Sequence, residues 1–237
     1  MAAPCRQDNS LDVVALRVLR CLFFMVLALL LAIGLAADDA RLKWDFDLIR
    51  KQAGQLYGAS DEALERLSAW EQLLQAQLDE AELEQLRAIN YFFNLRLRFR
   101  DDHELWLVED YWATPVEALF KGGADCEDFA IAKYFSLRQL GVPSDKLRIT
   151  YVKATQLNQA HMVLTYYEHP AAVPLVLDNL IDAILPADQR SDLVPVYAFN
   201  AEGLWLPGSG GGRQLGDSKG LSRWQDLLKK MHAEGFP

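Results

Sequence analysis

The chain predicts an α+β fold: N-terminal helices, then an antiparallel sheet packed on one helix that carries a cysteine. Three observations predict it. From Asp45 to Phe99 apolar residues recur every three or four positions, the helical period. From Leu147 to Asn200 the pattern changes to alternation and short apolar runs bounded by turn residues, as strands do. Between them lies Gly122-Gly123-Ala124-Asp125-Cys126-Glu127-Asp128-Phe129-Ala130-Ile131-Ala132-Lys133-Tyr134, where two glycines break the chain and a helix begins on a cysteine among three acids. Helices and strands segregated along the sequence mean α+β rather than α/β.

The 237 residues are 51% hydrophobic and 24% charged, enough to bury a core. The formal charge is −9, and lysines and arginines are dispersed among acids. No basic patch of the kind a nucleic acid requires is present, which excludes that partner.

Residues 1–37 read as an export signal. Arg17 and Arg20 precede an apolar run from Cys21 to Ala37, and Gly34 and Ala36 suit cleavage after Ala36. The alternative is an uncleaved anchor, because the run approaches the ~20 residues that span a bilayer. Export places the protein in the periplasm, touching the membrane only through this segment. Cleavage also removes Cys5 and Cys21 and leaves Cys126 alone. In an oxidising compartment an unpaired thiol is a reactive-site candidate.

Residues 38–100 form the expected helical lobe. A short helix through Phe46, Ile49 and Leu56 stops at Gly58; a second, N-capped by Ser60, carries Leu64, Leu67, Trp70 and Leu74; a third runs through Leu86, Ile89, Phe93 and Leu97. Residues 101–237 form the core, with 38–237 expected as one domain. The segment from Arg100 to Lys121 reads as irregular and aromatic-rich, and its Trp112 and Pro115 either wall a cleft or fill the core. The helix from Cys126 ends at Gly141, a residue suited to the left-handed position after a helix. Strands follow at Leu147–Lys153, Ala160–Tyr167, Pro174–Leu180 and Pro195–Asn200, with a further one near Trp205. A Gly-rich loop at 208–212 leads to a C-terminal helix from Leu221 to Met231.

Cys126 stands in the first turn of its helix. Unpaired N–H groups and the helix dipole there favour thiolate, while the neighbouring acids raise the thiol pKa. His161 and Asp178 each interrupt an apolar strand. A hairpin turning near 169–170 makes them direct or near-diagonal cross-strand neighbours, about 4.5–8 Å apart. A carboxylate fixing an imidazole whose other nitrogen faces a thiol fits nucleophile Cys126, general base His161 and orienting Asp178. The alternative is a structural His–Asp pair. Asp125, Glu127 and Asp128 are hard oxygen ligands suited to calcium, or acids that cap the helix. A zinc site on Cys126 and His161 lacks a further soft ligand.

A helix-borne cysteine on a sheet that supplies histidine and then aspartate resembles the papain-like/transglutaminase-like architecture. Trp112-Ala-Thr-Pro115, Gly123-Ala-Asp-Cys-Glu-Asp-Phe-Ala-Ile-Ala-Lys-Tyr134, Leu157-Asn-Gln-Ala-His161-Met-Val-Leu164 and Pro174-Leu-Val-Leu-Asp178-Asn179 resemble the LapG-type bacterial transglutaminase-like cysteine proteinases over roughly residues 90–205. That resemblance implies a calcium-dependent periplasmic endopeptidase. Its expected substrate is the N-terminal region of a large cell-surface adhesin, cut beside a paired alanine, so that adhesin is released and biofilm disperses. It further implies an inhibitory partner, an inner-membrane receptor for cyclic di-GMP. Two other functions use the same residues differently: acyl transfer to a lysine by the same triad, and a catalytically silent binding module.

Overall fold

The computed structural model describes residues 44–58, 60–207 and 212–237. The segment expected to be an export signal lies outside the described residues, as does most of the Gly-rich loop. Three helices open the described chain: α1 (Phe46–Tyr57), α2 (Asp61–Gln77) and α3 (Glu82–Arg96). Asp45 and Ser60 cap the first two by accepting the N–H of Leu48 and Ala63, and Gly58 ends α1 at φ 90°.

The segment expected to be irregular is more ordered than its composition suggested. It holds α4 (Asp102–Trp106) and α5 (Pro115–Lys121), flanked by a two-residue parallel pair, β1 (Arg98–Phe99) with β2 (Gly123–Ala124). The cause of α5 is local. Thr114 accepts the Glu117 N–H, Glu117 accepts the Thr114 N–H, and Pro115 occupies the first helical position, which makes a complete capping box.

Helix α6 (Cys126–Gln139) follows at once, and Gly141 closes it at φ 94°. It is buried along nearly its whole length and packs on a seven-stranded antiparallel sheet. The strands are β3 (Leu147–Ala154), β4 (Gln159–Tyr166), β5 (Leu175–Leu177), β6 (Leu185–Pro186), β7 (Leu193–Phe199), β8 (Leu204–Leu206) and β9 (Arg213–Gly216). Their order is β6-β5-β4-β3-β7-β8-β9, with the cysteine helix centred over β3 and β4. The β3–β7 register shifts between Tyr151 and Val152, and Pro195 sits at that bulge, where its missing N–H is harmless. Helix α7 (Ser222–Ala233) ends the chain.

One core joins the helices to the sheet. Trp70, Phe93, Ile131, Ile149, Phe199 and Trp224 are all fully buried in it. The buried Trp70 indole donates to Ser136 on α6 at 2.9 Å, which ties α2 to the helix that bears the cysteine.

Candidate active site

Cys126 is the first residue of α6, so its position is set by the capped α5, the Gly122 turn at φ 65° and the β2 pair that precede it. Its side chain is half-buried and borders a cleft of about 650 Å³. His161, near the start of β4, lines the same cleft. The β4–β5 register pairs Leu164 with Leu177 and Tyr166 with Leu175, so Asp178, one residue beyond β5, approaches His161 along the diagonal. His161 Nε2 and Asp178 Oδ1 are 2.7 Å apart, and both side chains are buried. The structure thus brings Cys126, His161 and Asp178 to one end of the sheet.

Asp178 is anchored from two further directions. Arg190 Nη2 donates to its Oδ2 at 2.7 Å, and the Leu180 N–H donates to its Oδ1 at 3.1 Å. Burial pushes its pKa up, but the hydrogen bond and charge of His161, followed by Arg190, outweigh that and hold it at about 2. Asp178 is therefore a carboxylate at any physiological pH. Asn94 donates to the Asp178 carbonyl at 2.9 Å and accepts from the buried Lys133 ammonium at 2.7 Å. These partners connect the loop after β5 to α3 and to α6 itself. Neither Arg190 nor Asn94 carries a local sequence signal for this role, since both reach Asp178 only through the tertiary fold.

The thiol is in a contested field. It donates to Glu127 Oε2 at 3.0 Å and receives the Met162 N–H. Burial raises its pKa, the charge and hydrogen bond of Glu127 and the charge of Asp125 raise it further, and only the Met162 N–H opposes them. Burial and the acids thus hold the thiol protonated in the absence of a counter-charge.

The acids divide by helix geometry. Residues three apart share a helix face, whereas neighbours diverge. Asp125 and Asp128 accordingly gather with Asp102, while Glu127 gathers with Asp102 and Asp110. In each set one oxygen per residue lies within 4.8 Å of the others. The three acids flanking Cys126 do not form a single set, and Asp102, which the sequence reading passed over, belongs to both. Asp102 Oδ1, Asp125 Oδ1 and Asp128 Oδ2 are buried and accept no hydrogen bond among the described residues. Burial, then the charge of neighbouring carboxylates, raises the pKa of all three; Asp102 is pushed to about 6, with Glu127 and Asp110 the main charges acting on it. Three carboxylates that converge, each with a buried oxygen lacking a partner among the described residues, fit a hard divalent cation such as calcium. The other oxygens of two of them brace the chain: Tyr111 N–H donates to Asp102 Oδ2, and Ala113 N–H donates to Asp128 Oδ1 at 2.6 Å.

Trp112 lies between those two anchors. It is half-buried, stacks on Phe199 with ring centroids 5.5 Å apart, and lines the cleft with Tyr151, Tyr197 and Met162. Pro115, by contrast, is buried in the start of α5. Exposed Phe99, Leu157 and Leu180 line the same cleft.

A cysteine at a helix start, laid on an antiparallel sheet that delivers a histidine hydrogen-bonded to aspartate, defines the transglutaminase-like class of cysteine hydrolases. Residues 63–193 match the family described as bacterial transglutaminase-like cysteine proteinase, BTLCP, and the chain belongs to that family. Solved structures of Legionella pneumophila LapG agree over most of the chain. One is 43% identical, covers 81% of this chain and 99% of its own, and superposes with a TM-score of 0.67. The calcium-bound form is 43% identical, covers 79% of this chain and 99% of its own, with a TM-score of 0.68. The EGTA-treated form is also 43% identical, covering 81% and 100%, with a TM-score of 0.68. Comparison with the curated proteins gives no match.

Proposed function

We propose that this cysteine proteinase is a calcium-dependent periplasmic endopeptidase using Cys126 as nucleophile, His161 as general base and Asp178 as orienter. The observation that carries the reading is the 2.7 Å His161–Asp178 bond at the cleft that Cys126 borders. Because His161 meets Asp178 through Nε2, Nδ1 is the nitrogen left to take the thiol proton. The sulfur attacks the scissile carbonyl, and the Cys126 N–H at the helix start donates to the developing oxyanion. His161 returns its proton to the leaving amine, and water hydrolyses the acyl-enzyme.

Asp102, Asp125 and Asp128 would hold calcium, with Glu127 and Asp110 beside them. The existence of calcium-bound and EGTA-treated LapG structures supports this assignment. Calcium supplies positive charge that offsets the carboxylates which otherwise hold the thiol protonated. The chain's own share is positioning, since the same acids fix the backbone on either side of Trp112.

The substrate reading follows the family resemblance: a large surface adhesin cut in its N-terminal region near paired alanines, with biofilm dispersal as the result. An inner-membrane receptor for cyclic di-GMP is the proposed inhibitory partner. A cleft walled by Trp112, Tyr151 and Tyr197 suits small residues at the scissile bond. Incubating the protein with such an adhesin segment tests the proposal. Two defined fragments are expected, whereas crosslinked products would favour acyl transfer and an unaltered but bound substrate a silent binding module.

A further inference from the structure

Lys133 takes no step in the proposed hydrolysis, yet it is fully buried in α6. A buried amine is costly, and an aliphatic residue would fill the same space more cheaply, so its presence calls for a reason. It stands seven residues after Cys126, two helical turns and about 10.5 Å along the axis, on the same face of the helix. Its Nζ lies 5.6 Å from the Phe129 ring centre and donates to Asn94 Oδ1 at 2.7 Å. Burial pushes its pKa down to about 7 against the charges of Asp178 and Asp182; charged or neutral, the amine keeps protons to donate.

Asn94, half-buried on α3, has its amide orientation dictated by its neighbours. The Asp178 carbonyl and the Asp182 carboxylate can only accept, so both require Nδ2, which donates to each at 2.9 Å. Oδ1 is then left for Lys133. One helical turn earlier, Asn90 donates to the Asp182 carbonyl at 2.9 Å. The loop from Asp178 to Asp182 is thus tied to α3 at both ends, with Leu180 of the cleft wall between them. Arg190 and the Leu180 N–H hold the Asp178 carboxylate, whereas Asn94 holds its main chain. Neither Lys133 nor Asn94 borders the cleft.

Taking Cys126, His161 and Asp178 as the triad, we propose that Lys133 and Asn94 are its positioning residues: the amine pins the Asn94 amide, and the amide sets the depth at which Asp178 meets His161. The strap runs from the helix that presents the sulfur to the loop that presents the carboxylate. It therefore fixes one catalytic group relative to the other.

Two variants test it. Lys133→Met keeps the volume without the amine, and Asn94→Ala removes the amide at a half-buried position; thermal unfolding should show both folded. In the peptidase assay each should lower kcat about tenfold, with KM changed by about twofold or less because Asn90 still holds Asp182. Added to Asp178→Asn, Asn94→Ala should cost a further twofold or less (roughly), since the group it positions is already gone. An unchanged kcat, or a loss as large in the Asp178→Asn background as in the wild type, would overturn the proposal. Ring-nitrogen NMR of the histidine-labelled full chain carrying Cys126→Ala reads the same geometry without catalysis. The neutral His161 ring is expected as the Nε2–H form, to lose that preference in Asp178→Asn, and to lose part of it in Asn94→Ala and Lys133→Met. A tautomer unmoved in the two folded variants would equally overturn it. A chain that cleaves no peptide but shows this tautomer response would remove the peptidase reading and leave the positioning of His161 standing.

Discussion

Replacing Arg190 by methionine and replacing Asp178 by asparagine break the same contact from opposite ends, yet their costs should differ in kind. Arg190→Met leaves a carboxylate buried to 1% exposure, still hydrogen-bonded to His161 but without its guanidinium counter-charge. Breaking a buried pair in that direction costs about 3–5 kcal/mol. For a chain of this size that lowers Tm by about 10 °C. Asp178→Asn leaves Arg190 still paired with Asp192, at 2.8 and 2.9 Å, so about 1–2 kcal/mol is expected. Activity should rank the other way. Without its carboxylate partner His161 loses orientation, and Asp178→Asn should lower kcat by about 10²-fold or more. The pH dependence fixes the sign. Asp178 is held at about 2, below its unfolded value near 3.8, so its ionised form contributes stability above the unfolded value. That contribution is lost as pH falls from about 4 toward 2, and the wild-type advantage over Arg190→Met should shrink in that window. Guanidinium unfolding at pH 7 and pH 3, with peptidase assays at pH 7, measures all of this. Equal midpoints at pH 7, or a gap that widens on acidification, would refute the role given to Arg190.

Cys126→Ala should abolish cleavage while shifting stability by no more than about 1 kcal/mol, because the side chain is only half-buried; residual wild-type turnover would remove it as nucleophile. EGTA should silence the enzyme and lower its Tm, added calcium should restore both, and Asp102→Asn should raise the calcium concentration required; an EGTA-indifferent enzyme would return the acids to helix capping. Glu234, buried against Thr114 and Tyr57, has its pKa raised by burial to about 7. The protonated form therefore contributes stability that is complete below the unfolded value near 4.5 and lost as pH rises through 7. Glu234→Gln should gain on the wild type by about 2–3 kcal/mol between pH 5 and pH 8, as read by denaturation at each pH, and a constant difference would contradict that reading.

The parts of the molecule legible in the sequence are those coded by neighbours. Gly58, Ser60 and Gly141 punctuate helices within a few residues, alternation marks β3, and short apolar runs mark β4 and β7. The approach of His161 to Asp178 was legible for the same reason, since one short connection governs it, although the register proved diagonal. Thr114-Pro115-Val116-Glu117 carries an explicit capping signature, masked by the aromatic residues around it. Asp102, Asn94 and Arg190 had no such local mark. Asp102 joins acids 23 and 26 residues further along, and Arg190 reaches back across the loop after β5, so only the assembled core identifies their partners. The two-residue strands β1 and β2 are too short for any period to show.

The peptide units on either side of Trp112 are fastened to two different carboxylates, Asp102 through Tyr111 and Asp128 through Ala113. The backbone that carries the cleft-wall indole is therefore held on both sides by the acids. On the proposed reading, a cation that neutralised those acids would steady this wall of the cleft and relieve the thiol of nearby negative charge through one set of carboxylates.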